Sequence, residues 1–161
     1  MSIREFEERD WPAVWAMLEP VFRAGETYAI PTDISQGEAY RFWVTAPRLC
    51  YVAVTPDDEP IGTYFLKTNH PGPGSHVCNC GYVVSSEARG QGLAGALCQH
   101  SLDVAHQEGY LAMQYNVVVA TNAAAIHVWR SHGFEIVGTL PGAFAHPTEG
   151  YVDAYVMHRH L

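Results

Sequence analysis

The residues best suited to chemistry lie in one run, Tyr82-Val83-Val84 followed by Arg89-Gly90-Gln91-Gly92-Leu93-Ala94-Gly95, an apolar strand leading through a Gly-rich turn into a helix. Glycine lets backbone N–H groups approach a ligand with no Cβ in the way. The first amides of the helix that follows have no internal acceptor, and the helix dipole adds positive potential there. Such a corner can hold a pyrophosphate through backbone donors, even in a chain of formal charge −8. A P-loop would need Gly-Lys-Ser/Thr, which is absent. Gly90, Gly92 and Gly95 do fit G-x-G-x-x-G. A dinucleotide fingerprint, however, opens a βαβ unit and has an acidic residue about 20 positions on, whereas this turn lies mid-chain after a hairpin pattern. The competing reading is a strand-to-helix turn that binds nothing.

Two asparagines stand in otherwise apolar strand patterns: Asn79 in His76-Val77-Cys78-Asn79-Cys80-Gly81-Tyr82, and Asn116 in Met113-Gln114-Tyr115-Asn116-Val117. Alternation puts Asn79 on the strand face opposite Cys78 and Cys80. A buried amide is costly unless paired, so each is either a satisfied structural residue or a polar group held for a ligand. His76, Cys78 and Cys80 also alternate, but zinc would need a fourth ligand and the usual Cys spacing is missing, so no metal is expected. Polar and aromatic residues in loops are further candidates, since loops at a sheet's mouth often carry specificity. Glu26 and Tyr28 follow the first helix pattern, and Phe144 lies in a late Gly/Pro-rich segment. Glu26 could attract a cationic amine or simply be solvated.

These groups must be positioned by one modest fold. The chain has 161 residues, 48% of them hydrophobic and 16% charged, a mix that suits a single domain over residues 1–161. Seventeen Asp and Glu against nine Lys and Arg disfavour nucleic acid as a partner. The opening MSIREFEERDW alternates apolar with charged residues, unlike a secretory signal, and no apolar stretch reaches the roughly 20 residues of a membrane span. Cys50, Cys78, Cys80 and Cys98 lie in apolar segments, as expected of reduced thiols in a cytoplasmic protein. A homodimer is left open.

The element order starts with a strand over Ile3 to Glu7. A helix follows, with Asp10 as N-cap and Pro12 in the first turn, its apolar face being Trp11, Val14, Trp15, Leu18 and Phe22, and Gly25 ending it. Ser35 and Glu38 have the spacing of a capping box for a short second helix. Cys50–Val54 and Ile61–Lys67 form a hairpin, and Val77–Val84 the next strand. A long helix runs to about Glu108 and Gly109, followed by a strand over Leu111–Val119. Asn122 caps a helix through Trp129 that Gly133 terminates. Phe134–Gly138 and Tyr151–His158 are the last strands, with a loop over Pro141–Pro147 between them. This is a mixed α/β (α+β) arrangement around one sheet.

The motif residues resemble the GNAT superfamily of N-acetyltransferases. Arg89-x-x-Gly92-x-Ala94 matches that family's Arg/Gln-x-x-Gly-x-Gly/Ala signature. Asn122-x-x-Ala125-Ile126-x-x-Trp129, followed by His132-Gly133-Phe134, is similar to its N-x-x-A-i-x-x-Y…G-F segment. The likeness spans the chain in element order and residues 77–138 in motif detail. It implies the GNAT acyl-CoA N-acyltransferase fold, a mixed central sheet of about six to seven strands flanked by about four helices. It also implies acetyl-CoA as co-substrate, with pyrophosphate on the amides of Arg89 to Gly95. The pantetheine would pair like an added strand beside Tyr82-Val83-Val84, in a gap between that strand and the one from Leu111. Asn122, Ala125 and Trp129 would line the cofactor, and a backbone N–H of Val83 or Val84 would polarise the thioester carbonyl.

Asn79-x-Gly81, with Asn116 and Leu140-Pro141-Gly142-Ala143-Phe144, is also similar to fungal acetyltransferases acting on L-azetidine-2-carboxylate and related proline analogues. That likeness implies that Asn79 and Asn116 orient the amine and carboxylate of an amino-acid acceptor, which attacks directly in a ternary complex. Trp129 departs from the family, whose members usually place Tyr there. An indole N–H donates a hydrogen bond but is no acid near neutral pH. Trp129 is therefore a cofactor-lining or a packing residue, and His127 and His132 lie close to it in sequence. Its presence also raises a non-catalytic acetyl-CoA-binding regulatory domain as an alternative. Within the enzyme class, a polyamine or a protein N-terminus is the rival acceptor.

Overall fold

The computed structural model describes residues 1–161 and centres on a seven-stranded sheet. The strands are β1 (Ser2–Glu5), β2 (Leu49–Val54), β3 (Pro60–Thr68), β4 (Val77–Val84), β5 (Ala112–Val119), β6 (Glu135–His146) and β7 (Gly150–His160), arranged β1-β2-β3-β4-β5-β7-β6. Four α-helices cover it: α1 (Trp11–Ala24), α2 (Gln36–Tyr40), α3 (Leu93–Gln107) and α4 (Ala123–Ser131). The expected mixed α/β fold and strand number are observed. No helix is long and apolar enough to cross a membrane.

Each sheet face has its own core. On one side Val14, Leu18 and Phe22 of α1 meet Val52, Phe65 and Val83, with Trp43 fully buried among them and donating to Thr63 Oγ1 at 3.0 Å. On the other, Leu97, Cys98 and Leu102 of α3 pack on Tyr64, Leu66, Cys78, Cys80, Met113 and Tyr115. Truncating a fully buried leucine such as Leu18 to alanine costs about 2–5 kcal/mol. The even positions of β4, Cys78, Cys80, Tyr82 and Val84, thus face α3, and the odd ones, Asn79 and Val83, face α1.

Local signals place most boundaries. Gly25 closes α1 at φ 64°, Ser35 and Glu38 form their capping box, and Asn122 Oδ1 accepts from the Ala125 amide at 3.3 Å. Asp10 is a correction: it makes no side-chain cap on α1. Its carboxylate instead accepts from Arg4 Nη1 and Nη2 at 2.8 and 2.9 Å and from the Glu7 amide at 2.8 Å. Phe6 N–H still bonds the Cys50 carbonyl of β2 at 2.9 Å, whereas the Glu7 amide is spent on Asp10, so pairing with β2 stops short of Glu7. The second helix continues as a wide turn over Arg41–Thr45, bringing Phe42 and Trp43 onto the sheet.

The Pro141–Pro147 loop is also corrected. Most of it belongs to β6, whose register against β7 shifts between Leu140 and Phe144. β6 is an edge strand, where a proline costs no ladder hydrogen bond, and Gly142 takes φ 56° in the irregular stretch. Pro and Gly therefore mark a bulge here rather than a strand end.

Candidate active site

Parallel β4 and β5 pair only at Val77↔Ala112 and Cys78↔Met113, and beyond that they part. An aromatic wedge fills the opening from the α3 side: the Tyr82 and Trp129 rings lie 4.9 Å apart, Tyr115 and Trp129 5.1 Å, and Tyr82 and Tyr115 5.9 Å. Behind it the Tyr82 hydroxyl bonds Ser101 Oγ at 2.7 Å and the Tyr115 hydroxyl at 2.8 Å. Burial drives both phenols well above their ordinary range, so they remain neutral donors. Trp129 thus packs between Tyr82 and Tyr115 and lines the cavity.

The opening is a cavity of about 750 Å³ running from the start of α3 to the α1 face of the sheet. At one end Arg89, Gly90, Gly92, Leu93, Ala94 and Gly95 line it. Gly90 and Gly92 have φ of 73° and 78°, a region L side chains rarely adopt, and a Cβ on either would meet nothing within 4 Å. No side chain caps α3. Its first amides, Leu93, Ala94 and Gly95, therefore have no intrahelical acceptor, the condition an anionic group would satisfy. Gln91 differs from expectation: its Nε2 turns back to the Glu87 carbonyl at 3.0 Å and does not line the cavity. Gly95 serves packing as well, since a Cβ there would lie 3.2 Å from His132 Cε1.

Hydrogen bonds fix which way each residue of the β4 edge faces. The Tyr28 hydroxyl accepts from the Tyr82 amide at 2.8 Å and donates to the Tyr82 carbonyl at 2.9 Å. Tyr82 therefore points its backbone groups into the gap. Val83, one residue on, points the other way and pairs with Thr63 on β3, as does the Ser85 amide, which bonds Ile61 O at 2.9 Å. Of the two amides expected to face a thioester, Val83 is excluded and Val84 faces the cavity. Burial pushes the Tyr28 phenol up, so it too stays protonated.

The far end of the cavity is polar. Asn79 Nδ2 donates to the Gln114 carbonyl at 2.9 Å, spanning the strands just where their ladder stops. Asn116 Oδ1 accepts from Gln114 Nε2 at 3.0 Å, and its Nδ2 donates to Asn69 Oδ1 at 2.7 Å. Asn79 and Asn116 both line the cavity, together with Asn122, Ala125 and His127. His132 instead directs Nδ1 at the Val128 carbonyl, 2.8 Å away, outside the cavity.

Two expected substrate residues are not brought to this place. Glu26 is exposed and lines neither this cavity nor the small pocket beside it. Phe144 is a buried β6 residue that backs the 28–32 loop in that separate small pocket with Ala29 and Ile30. Cys78 and Cys80 are buried under α3, and burial lifts the Cys78 thiol to about 12, while His76 is exposed before the strand. Sequence reasoning missed Lys67, which adds a charge to the polar end of the cavity, and Phe42 and Phe65, which line it beside the lysine. Lys67 carried a signal, being the only lysine in the chain.

Known proteins share this fold and sequence pattern. A GCN5-related N-acetyltransferase from Kribbella flavida is 42% identical and superposes with a TM-score of 0.95 over 99% of this chain and 97% of that one. The N-acetyltransferase aca1 of Schizosaccharomyces pombe is 30% identical over 85% of this chain and 73% of its own. The L-amino acid N-acetyltransferase AaaT of Escherichia coli is 26% identical over 98% of this chain and 96% of its own. The sequence pattern described as the Acetyltransferase (GNAT) family matches residues 3–134. The chain therefore belongs to the Acetyltransferase (GNAT) family, enzymes that use acetyl-CoA as acyl donor.

Proposed function

We propose that this acetyltransferase acts on the amine of a small molecule, an amino acid or amino-acid analogue, by direct attack in a ternary complex. The observation carrying this reading is the continuity of one cavity from the uncapped start of α3, past the unpaired β4 edge, to the amides of Asn79 and Asn116. The relative acting on L-amino acids supports the acceptor class. Azetidine-2-carboxylate and related cyclic amino acids are the finer form of the proposal, resting on Asn79-x-Gly81 and Asn116.

Acetyl-CoA, when bound, supplies an acetyl thioester. The open cradle at Gly90 and Gly92 and the free amides of Leu93, Ala94 and Gly95 fit its diphosphate. The Val84 amide is the fixed donor available to a carbonyl oxygen on the β4 edge. Asn79 gives one of its two N–H groups to Gln114, which orients the amide and leaves Oδ1 as the acceptor for an amine proton. Asn116 is locked by Gln114 and Asn69, which fixes the wall against which the acceptor would rest. Positioning of this kind can supply roughly 7–11 kcal/mol without any acid at position 129.

The test is thiol release from acetyl-CoA with a panel of amino acids, polyamines and peptides. Turnover confined to free amino acids supports the reading. Turnover of polyamines or peptide N-termini alone replaces the acceptor, and cofactor binding without turnover on the whole panel returns the chain to the non-catalytic alternative.

A further inference from the structure

The chain's single lysine is placed where an anion would be read. Lys67 lines the cavity and stands directly across the β3–β4 ladder from Asn79, so both side chains leave the same face of the sheet. Its Nζ lies 5.5 Å from the Phe65 ring centroid and 5.8 Å from that of Phe42. Two aromatic faces hold the ammonium without neutralising it. Every ion pair in the protein uses an arginine: Arg4, Arg9, Arg23 and Arg48 take the carboxylates, and none approaches Lys67. A half-buried cation with no ion pair, in a chain of charge −8, attracts a small anion; Arg89, also unpaired, lies at the other end of the cavity by the glycine turn, so Lys67 serves the Asn79 end.

We propose that Lys67 is the specificity-determining residue that binds the carboxylate of the acceptor, Asn79 beside it taking the amine. The inference rests on the amino-acid acceptor reading and deepens it. A zwitterion spans the pair in one orientation: carboxylate on Nζ, α-amine toward Asn79 Oδ1 and the β4 edge. Polyamines meet a like charge at the same point, so Lys67 rejects them as it selects amino acids. Phe42 and Phe65 seat the ammonium beside two aromatic rings, and the carboxylate adds a charge-assisted bond.

The test compares an L-amino acid with its primary amide in the wild-type enzyme, Lys67→Met and Lys67→Arg, following kcat and KM separately. The wild type should prefer the acid over the amide by about 10- to 100-fold, mainly in KM. Lys67→Met should bring that ratio close to one, and Lys67→Arg should retain most of it. An unchanged ratio in Lys67→Met, or no preference in the wild type, overturns the assignment. A second measurement does not need turnover. Lys67 and the N-terminus are the only primary amines, so reductive methylation followed by mass spectrometry reports Lys67 against an internal reference. An N-acetylamino acid should slow methylation of Lys67 severalfold and its amide should not, whereas equal labelling with both overturns the site. Protection without turnover would instead mean that the carboxylate site stands and the acyl-transfer reading of the acceptor fails.

Discussion

The Tyr28 hydroxyl brackets the Tyr82 peptide, accepting from its amide at 2.8 Å and donating to its carbonyl at 2.9 Å across 54 residues of sequence. One side chain thus satisfies the edge that β5 abandons and ties the loop after α1 to the wall of the cavity. Tyr28→Phe should cost about 1–2 kcal/mol of stability, because both Tyr82 groups lose their protein partner while remaining near water in the cavity. Thermal unfolding reads the cost, and the acceptor KM should rise as the 26–31 loop loosens. An unchanged melting temperature would mean that water replaces the hydroxyl without loss.

Gly92→Glu should abolish acetyl-CoA binding, measured by calorimetry, while leaving the fold intact. No atom lies within 4 Å of a Cβ there, so the folding cost is the left-handed backbone alone, roughly 1 kcal/mol. The added carboxylate would occupy the cradle and repel phosphate. Retained affinity would mean that the diphosphate does not sit on this turn.

Asn79→Ala should lower turnover at least tenfold while acetyl-CoA affinity changes less than about threefold, since the lost group faces the acceptor end. It also orphans the Gln114 carbonyl at the mouth of the gap, costing about 1–3 kcal/mol. Parallel measurement of kcat, cofactor Kd and melting temperature separates the two effects. Lost cofactor binding with normal turnover per bound enzyme would contradict an acceptor-facing role for Asn79.

Stability should fall in two stages on acidification. Burial lowers the His100 pKa below 6.5, with nearby Asp103 opposing, and its Nδ1 lies 2.8 Å from the Tyr64 hydroxyl. The unfolded chain then takes up a proton that the folded one resists, so stability declines as pH drops below 6.5. Burial pushes Asp10 up, but the bonds from Arg4 and Glu7 outweigh it and its pKa is lowered from 3.8. That stabilisation is complete above 3.8 and is lost as pH falls through the lower folded value. His100→Gln should flatten the melting-temperature profile just below pH 6.5. A profile of unchanged slope would remove His100 as the cause.

What could be read in the sequence was local and backbone-driven. Glycines at left-handed corners, the Asn122 cap and the Ser35–Glu38 box each act within a few residues, so their types announce them. Tertiary pairing was not legible. Asp10 has the composition of a cap and serves Arg4 instead, and Phe144 sits in a segment rich in Pro and Gly that is an irregular edge strand. Strand alternation alone could not choose between Val83 and Val84, because the choice depends on which neighbour each edge faces, and only the Tyr28 and Thr63 contacts decide it. Lys67 was visible as a solitary lysine, but its meaning required Phe42, Phe65 and Asn79 around it.

A crystal structure of the protein with acetyl-CoA tests the central claim most directly. The expected result is a diphosphate accepting hydrogen bonds from the amides of Leu93, Ala94 and Gly95, with the thioester end in the gap beside Val84. A carrier lodged away from the start of α3, or a gap closed by β4 and β5 pairing beyond Cys78, would contradict it.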